Sequence, residues 1–162
     1  MKTIVFDLDG TLADITHRLH FIKDGNHDWD GFFAACVDDA PIPEMVALFQ
    51  VLERTNLMLQ RSPNVKAIYG PDEISLIIVS GRSDKVIDQT REWLVKHDIY
   101  TDDLYMREEG DHRPDYQVKQ EICDHLKETG HEILLAFDDH QQVVDMWRAN
   151  GVRCAQVDKG DF

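Results

Sequence analysis

Three short apolar runs constrain the fold of this chain more than any other feature: Thr3-Ile4-Val5-Phe6, Leu76-Ile77-Ile78-Val79 and Ile133-Leu134-Leu135-Ala136-Phe137. They are rich in branched residues and do not alternate polar with apolar, which is the pattern of strands covered on both faces. Stretches of helical period lie between them. Met45, Val46, Leu48, Phe49 and Leu52 share a face after Pro41-Ile42-Pro43, and this helix is predicted to end before Ser62-Pro63-Asn64. Val86, Ile87, Thr90, Trp93 and Leu94 share another face, with Ser83 and Asp84 placed to cap that helix. Val118, Ile122, Cys123 and Leu126 follow Pro114 and stop at Gly130, and Val143, Val144, Met146 and Trp147 stop near Asn150-Gly151. Shorter strands are expected at Leu104–Met106 and Arg153–Val157.

Strand and helix therefore alternate, which predicts an α/β fold with a doubly wound, mainly parallel sheet and helices on both faces. A small helical insertion after the first strand is expected, because Asp14–Val37 reads as two short pieces around the break Lys23-Asp24-Gly25-Asn26. Asn64–Asp72 is expected to be loop. A chain of 162 residues suits one domain, 1–162, in which residues 14–43 could form a small helical lid.

All three apolar runs end in a polar signal: Asp7-Leu8-Asp9-Gly10-Thr11, Ser80-Gly81-Arg82 and Asp138-Asp139. In an open parallel sheet, ligands bind beyond the carboxyl ends of the strands, so these signals are expected to meet. Asp7, Asp9, Asp138 and Asp139 would repel one another there unless a cation lay among them. Hard oxygen ligands favour Mg2+, which takes one or two carboxylates and a substrate phosphate. Asp115 and Lys119, four apart on a predicted helix, share a face and can pair.

The net charge of −14 argues against extended, sequence-independent binding to a nucleic-acid backbone, and leaves open the gripping of one phosphorylated end. Cys36, Cys123 and Cys154 lack Cys-x-x-Cys spacing and are expected to be reduced thiols. No apolar run approaches the ~18 residues of a membrane span, so a soluble cytoplasmic protein without a membrane partner is expected, with a homo-oligomer left open. His17, His20 and His27 lack zinc spacing. The chain contains no Gly-x-x-x-x-Gly-Lys-Ser/Thr phosphate loop, so no kinase activity is expected of it.

In order, Asp7-Leu8-Asp9-Gly10-Thr11, Ser80, Lys119 and Asp138-Asp139 resemble the four motifs of the haloacid dehalogenase (HAD) superfamily of phosphohydrolases. A closer resemblance is to the 3′-phosphatase domain of bacteriophage-type polynucleotide kinase–phosphatases. It is carried by Arg107-Glu108-Glu109-Gly110-Asp111-His112-Arg113-Pro114-Asp115, the helix with Lys119, the run Gln142–Arg148, and the closing Gly160-Asp161-Phe162. His140 departs from it, since arginine is common after the aspartate pair.

The resemblance implies a Rossmann-like, HAD-type fold and a Mg2+-dependent phosphomonoester hydrolase. Asp7 would be the nucleophile, forming an aspartyl-phosphate, and Asp9 the general acid and base. Asp7, Asp138 and the Asp9 carbonyl would hold the metal, with Asp139 orienting its waters. Thr11, Ser80, Gly81 and Lys119 would contact the phosphoryl oxygens, with Asp115 in support. Arg18, Arg82, Arg107 and Arg113 would face the substrate. The expected substrate is a 3′-phosphate on a polynucleotide end or a nucleotide. The alternatives are a 5′-nucleotidase, another small-ester phosphatase, or a binding module that kept the fold. Trp29, Phe32 and Phe33 can stack a base or serve as core.

Overall fold

The computed structural model of the chain describes residues 1–23, 25–61 and 74–160. The expected Asn64–Asp72 loop, Asp24 in the expected break, and the last two residues lie outside the described residues. In chain order the first half contains β1 (Lys2–Phe6), β2 (Ala13–Asp14), a 3-10 turn (Thr16–Phe21), α1 (Trp29–Ala34), a second 3-10 turn (Ala35–Asp38), β3 (Ala40–Pro41) and α2 (Pro43–Arg61). The second half contains β4 (Ile74–Ser83), a 3-10 turn (Asp84–Val86), α3 (Ile87–Lys96), β5 (Asp103–Arg107), α4 (Asp115–Glu128), β6 (Glu132–Asp138), α5 (Gln141–Ala149) and β7 (Arg153–Gln156).

The main sheet has the order β5-β4-β1-β6-β7, with every neighbouring pair parallel. Alternate residues of β1 point to opposite faces, and both faces are covered. Ile4 and Phe6 pack with Leu76 and Ile78 against Phe49 of α2 and Trp93 of α3. Val5 packs with Ile77 and Val79 against Cys123 and Leu126 of α4 and Val143 and Trp147 of α5. Phe6 is fully buried, stacked at 4.7 Å on Phe137 and edge-on to Phe49 at 5.0 Å. Burying a side chain of this size stabilises the sheet by about 2 kcal/mol. The continuous apolar runs, without alternation, follow from this cover on both sides.

Because β1 lies between β4 and β6, the three polar strand ends become neighbours. Phe6 pairs with Ile78 on one side and Phe137 on the other, and the Asp7 amide continues the ladder by donating to the Phe137 carbonyl at 2.9 Å. The β4–β5 register slips between Ser80 and Ser83. Such a bulge re-aims side chains, here around Arg82. The insertion is closed at its base by antiparallel pairing of β2 with β3, and the Trp93 indole donates to the Asp39 carbonyl at 2.8 Å. Among the described residues no helix is long and apolar enough to cross a membrane.

Candidate active site

The turn after β1 is pinned from below. Leu8 and Leu12 are fully buried, and the Leu12 and Ala13 amides both donate to the Leu8 carbonyl. Between the two leucines, Gly10 has φ +87°, and a Cβ there would run into the Asp139 carboxylate. Glycine is required at this position on both counts. The turn presents Asp7 and Asp9 to one cleft but in two different electrostatic settings.

Asp7 faces β6. Oxygens of Asp7, Asp138 and Asp139 lie within 4.8 Å of one another, and all three residues are buried. Lys119 reaches them from α4, with Nζ 2.7 Å from Asp7 Oδ1, 2.9 Å from Asp138 Oδ2 and 3.1 Å from Asp115 Oδ2. The Asp115–Lys119 pairing expected from their spacing is present, and Lys119 is 2% exposed, so it is no solvated surface lysine. Burial would strip Lys119 of its proton, but Asp115, Asp138 and Asp7 hold its pKa well above the ordinary lysine value. Burial pushes Asp7 well above the usual carboxylate range, with Lys119 opposing and Asp138 and Asp139 adding to the rise. Burial likewise raises Asp138. Asp139 is pushed up to about 7 by burial and by the neighbouring Asp138.

One ammonium serves Asp7 and Asp138 and shares Asp115 with Arg107, and among the described residues no lysine or arginine pairs with Asp139. This excess of carboxylate oxygen, close enough to share one ion, fits a hard divalent cation such as Mg2+. Asp139, expected to orient the metal's waters, lies with Asp7 and Asp138 as the third carboxylate of this cluster.

Asp9 faces the insertion. Its carboxylate is clamped by Arg18, 2.7 Å from Nη2 to Oδ1, and by Arg82, which contacts both of its oxygens. Burial alone would raise the Asp9 pKa, but the Arg82 and Arg18 guanidinium groups hold it below the ordinary value. Both arginines continue to Asp39, which is 2% exposed. Asp39 accepts from Arg18 Nε at 2.7 Å and Nη2 at 2.8 Å, and from Arg82 Nη2 at 2.9 Å, and it meets His17 Nε2 at 2.9 Å. Arg18 also lies 4.1 Å over the Phe32 ring, and Arg82 donates to Thr90 at 3.3 Å. The structure thus places the two arginines, expected to face substrate, on Asp9 and Asp39. Asp39 went unseen in the sequence.

Ser80 is fully buried, and its hydroxyl accepts from the Arg82 amide at 3.2 Å. Gly81 lines the cleft, where a Cβ would strike the Asp115 carboxylate. Thr11 is buried, and among the described residues its hydroxyl has no hydrogen-bond partner. Arg107 holds the β5–α4 loop together, donating to the Gly81 carbonyl at 2.7 Å, the Arg113 carbonyl at 2.6 Å and Asp115 at 3.1 Å. Arg113, half-exposed, pairs with Asp111 at 2.7 Å and Glu121 at 3.0 Å. Above Asp7 and Asp9 opens a cleft of about 670 Å³, walled by α1 on one side and the 107–115 loop on the other.

Residues 1–162 match the family described as the polynucleotide kinase PNKP phosphatase domain. The chain is 25% identical to a chain of the Pnkp1/Rnl/Hen1 RNA repair complex, with a TM-score of 0.74, covering 99% of this chain and 43% of that one. It is 26% identical over 148 residues to a putative bifunctional polynucleotide kinase/RNA ligase of Autographa californica nuclear polyhedrosis virus, covering 91% of this chain and 18% of that protein. The chain therefore spans less than half the length of these two relatives. A haloacid dehalogenase-like hydrolase of Streptococcus pneumoniae, 16% identical, shares the fold with a TM-score of 0.55 over 94% of this chain and 82% of its own. The expected α/β architecture is thereby confirmed. With motifs, fold and a full-length match in agreement, the chain belongs to the phosphatase-domain family of polynucleotide kinase–phosphatases and is a HAD-type phosphatase.

Proposed function

We propose that this protein is a Mg2+-dependent phosphomonoesterase that works through an aspartyl-phosphate on Asp7 and removes 3′-phosphates from polynucleotide ends or nucleotides. The observation that carries the reading is the division of labour between two carboxylates on one turn. Asp7 lies with Asp138, Asp139 and Lys119, while Asp9 lies between two guanidinium groups.

Asp7 attacks phosphorus, and Lys119 offsets charge on the phosphoryl oxygens as the bond forms. Asp9, which must first take up a proton against the pull of Arg18 and Arg82, protonates the departing alkoxide and then accepts a proton from the water that cleaves the acyl-phosphate. Arg18 and Arg82 orient Asp9 for both steps. The unpartnered Thr11 hydroxyl and Ser80 donate to the phosphoryl oxygens. Bound by Asp7, Asp138 and Asp139, Mg2+ would supply a positive charge that lets nucleophile and phosphate approach. Residues 14–43 act as a small helical lid, and the protein works in the cytoplasm.

The test is phosphate release from a panel of 3′-phosphorylated oligonucleotides, 3′-mononucleotides and 5′-mononucleotides, with Asp7→Asn as control. The reading requires turnover of 3′-phosphates, its loss in Asp7→Asn and its loss on chelation. Activity confined to 5′-mononucleotides would put the 5′-nucleotidase in its place.

A further inference from the structure

The cleft over Asp7 has two unlike walls. On the α1 side stand Ile22, Trp29, Phe32 and Phe33. Phe32 belongs to the core: it is 3% exposed, under the Arg18 guanidinium, and its carbonyl accepts from Arg18. The core does not account for Trp29. Trp29 is 47% exposed while lining the cleft, its indole edge-on to Phe32 at 5.8 Å and tilted by 32° against Phe33 at 6.1 Å. The helix that carries it is fixed in place, with Asp28 accepting from the Gly31 amide at 2.8 Å and Asp30 paired across the cleft mouth with Lys85 at 2.9 Å.

The cleft as a whole is acidic. Eight carboxylates line the cleft against four lysines and arginines, and each of those four is already paired with a carboxylate. At the mouth, Asp30, Glu108, Glu109 and Asp111 surround Lys85 and Arg113, which are held by Asp30 and by Asp111 with Glu121. A nucleic-acid strand leaving this cleft meets more carboxylates than cations at its mouth, a field that repels a second phosphate. Backbone binding depends on cations. Binding can instead come from the aromatic wall, since every base has a face to stack and a rigid indole offers a matching one.

We infer that the cleft recognises only the nucleoside that bears the scissile phosphate, with its base stacked on Trp29, and engages no phosphate beyond it. The inference rests on the reading of Asp7 as the group that takes a nucleotide's 3′-phosphate. Stacking from the lid side positions the ester without adding negative charge to an already acidic cleft. The rest of a polynucleotide then runs out past the mouth unbound.

Trp93 and Trp147 are each 1% exposed, so Trp29 alone among the three tryptophans is open to solvent quenchers and ligands. The experiment titrates the full Asp7→Asn chain in Mg2+ with a nucleoside 3′-monophosphate, with an octanucleotide of the same 3′-phosphorylated end, and with an octanucleotide ending in an abasic 3′-phosphate. Tryptophan fluorescence is the readout, at 50 and 200 mM salt. The base-bearing ligands are expected to quench Trp29, the abasic end is not, and mononucleotide and octanucleotide are expected to bind within about threefold of each other at both salt concentrations. In the catalytically intact chain, Trp29→Ala is expected to lower the ratio of kcat/KM for the base-bearing end over the abasic end about tenfold, or about 1.4 kcal/mol. Trp29→Phe is expected to restore most of that ratio. An octanucleotide bound more than tenfold tighter than the mononucleotide, with a steep salt dependence, would overturn the inference, as would a ratio unchanged in Trp29→Ala. Those results leave the 3′-phosphatase reading standing. Failure of the parental chain to release phosphate from any 3′-nucleotide would overturn that reading and the inference together.

Discussion

Replacing Asp39 by asparagine keeps the shape of the side chain and removes one negative charge from a balanced, buried cluster. Arg18, Arg82, Asp9 and Asp39 carry two charges of each sign; the two arginines and Asp39 are at most 2% exposed, and the Asp9 side chain is 14% exposed. Asp39 accepts three arginine N–H bonds, at 2.7, 2.8 and 2.9 Å, and an amide group cannot match that as a charged acceptor. The variant keeps two guanidinium groups facing one carboxylate. Removing one partner of a buried ion pair costs about 3–5 kcal/mol. At about 2–4 °C per kcal/mol for a chain of this size, Asp39→Asn is expected to melt roughly 6–20 °C below the parent. Asp9 loses its fixed orientation in the same step, so kcat is expected to fall about 100-fold or more, the scale of positioned proton transfer. Urea unfolding and calorimetry measure the first effect, and phosphate release at saturating substrate measures the second. The double variant Arg18→Met/Asp39→Leu restores charge balance with apolar bulk and is expected to regain at least half of the lost stability without regaining kcat. The reasoning is refuted if Asp39→Asn unfolds within 1 kcal/mol of the parent and turns over at the parental rate.

Gly10→Ala places a Cβ against Asp139 in a backbone of positive φ, so it should cost about 1–2 kcal/mol in chemical unfolding from the left-handed conformation alone, and its activity should fall by more than that stability loss explains. Mg2+ should raise the melting temperature, and the gain should grow from pH 5 to pH 8, because Asp139, pushed up to about 7, must release its proton before it can bind a cation; a gain that shrinks over that range would remove Asp139 from the metal set. Burial raises the thiols of Cys36 and Cys123 and pushes Cys154 up to about 12, so at pH 8 iodoacetamide should label the folded protein far more slowly than the unfolded chain.

The strands and the acidic end of the sheet were legible because they are local patterns. Four or five branched residues in a row followed by a carboxylate mark a buried strand and its carboxyl end, whatever lies elsewhere in the chain. Lys119 was legible through the family resemblance, since its spacing from Asp115 predicted only that the two could pair. Asp39 was not. It sits beside the exposed Asp38 in an acidic stretch, and its partners lie 21 and 43 residues away. Nothing in one sequence distinguishes a carboxylate buried between two arginines from a solvated neighbour. Arg18 and Arg82 were expected on the substrate from the family resemblance, and their contacts with Asp9 and Asp39 left no local signal; nor did the hold of Arg107 on its own loop. Long-range pairing of charges leaves no period to read. Of the aromatic stretch, the sequence offered both a core role and an exposed one. The structure divides them by residue, with Phe32 inside and Trp29 at the cleft.

The central position of β1 also governs how the protein can be made. Asp7 follows directly on this strand, whose hydrogen-bonding neighbours are β4 on one side and β6 on the other. From Phe6 to β6 is roughly 130 residues, which at 5–20 residues per second takes a ribosome roughly 6–26 s. Throughout that interval an apolar strand meant to be hidden on both faces has at least one edge unpaired, and it is open to pairing with another chain. Asp7 cannot stand beside Asp138 and Asp139 until the segment that carries them has emerged. A nascent chain that stalls before β6 is therefore without phosphatase activity and prone to aggregate, so chaperone protection of β1 during synthesis would be worth more than faster closure of any loop.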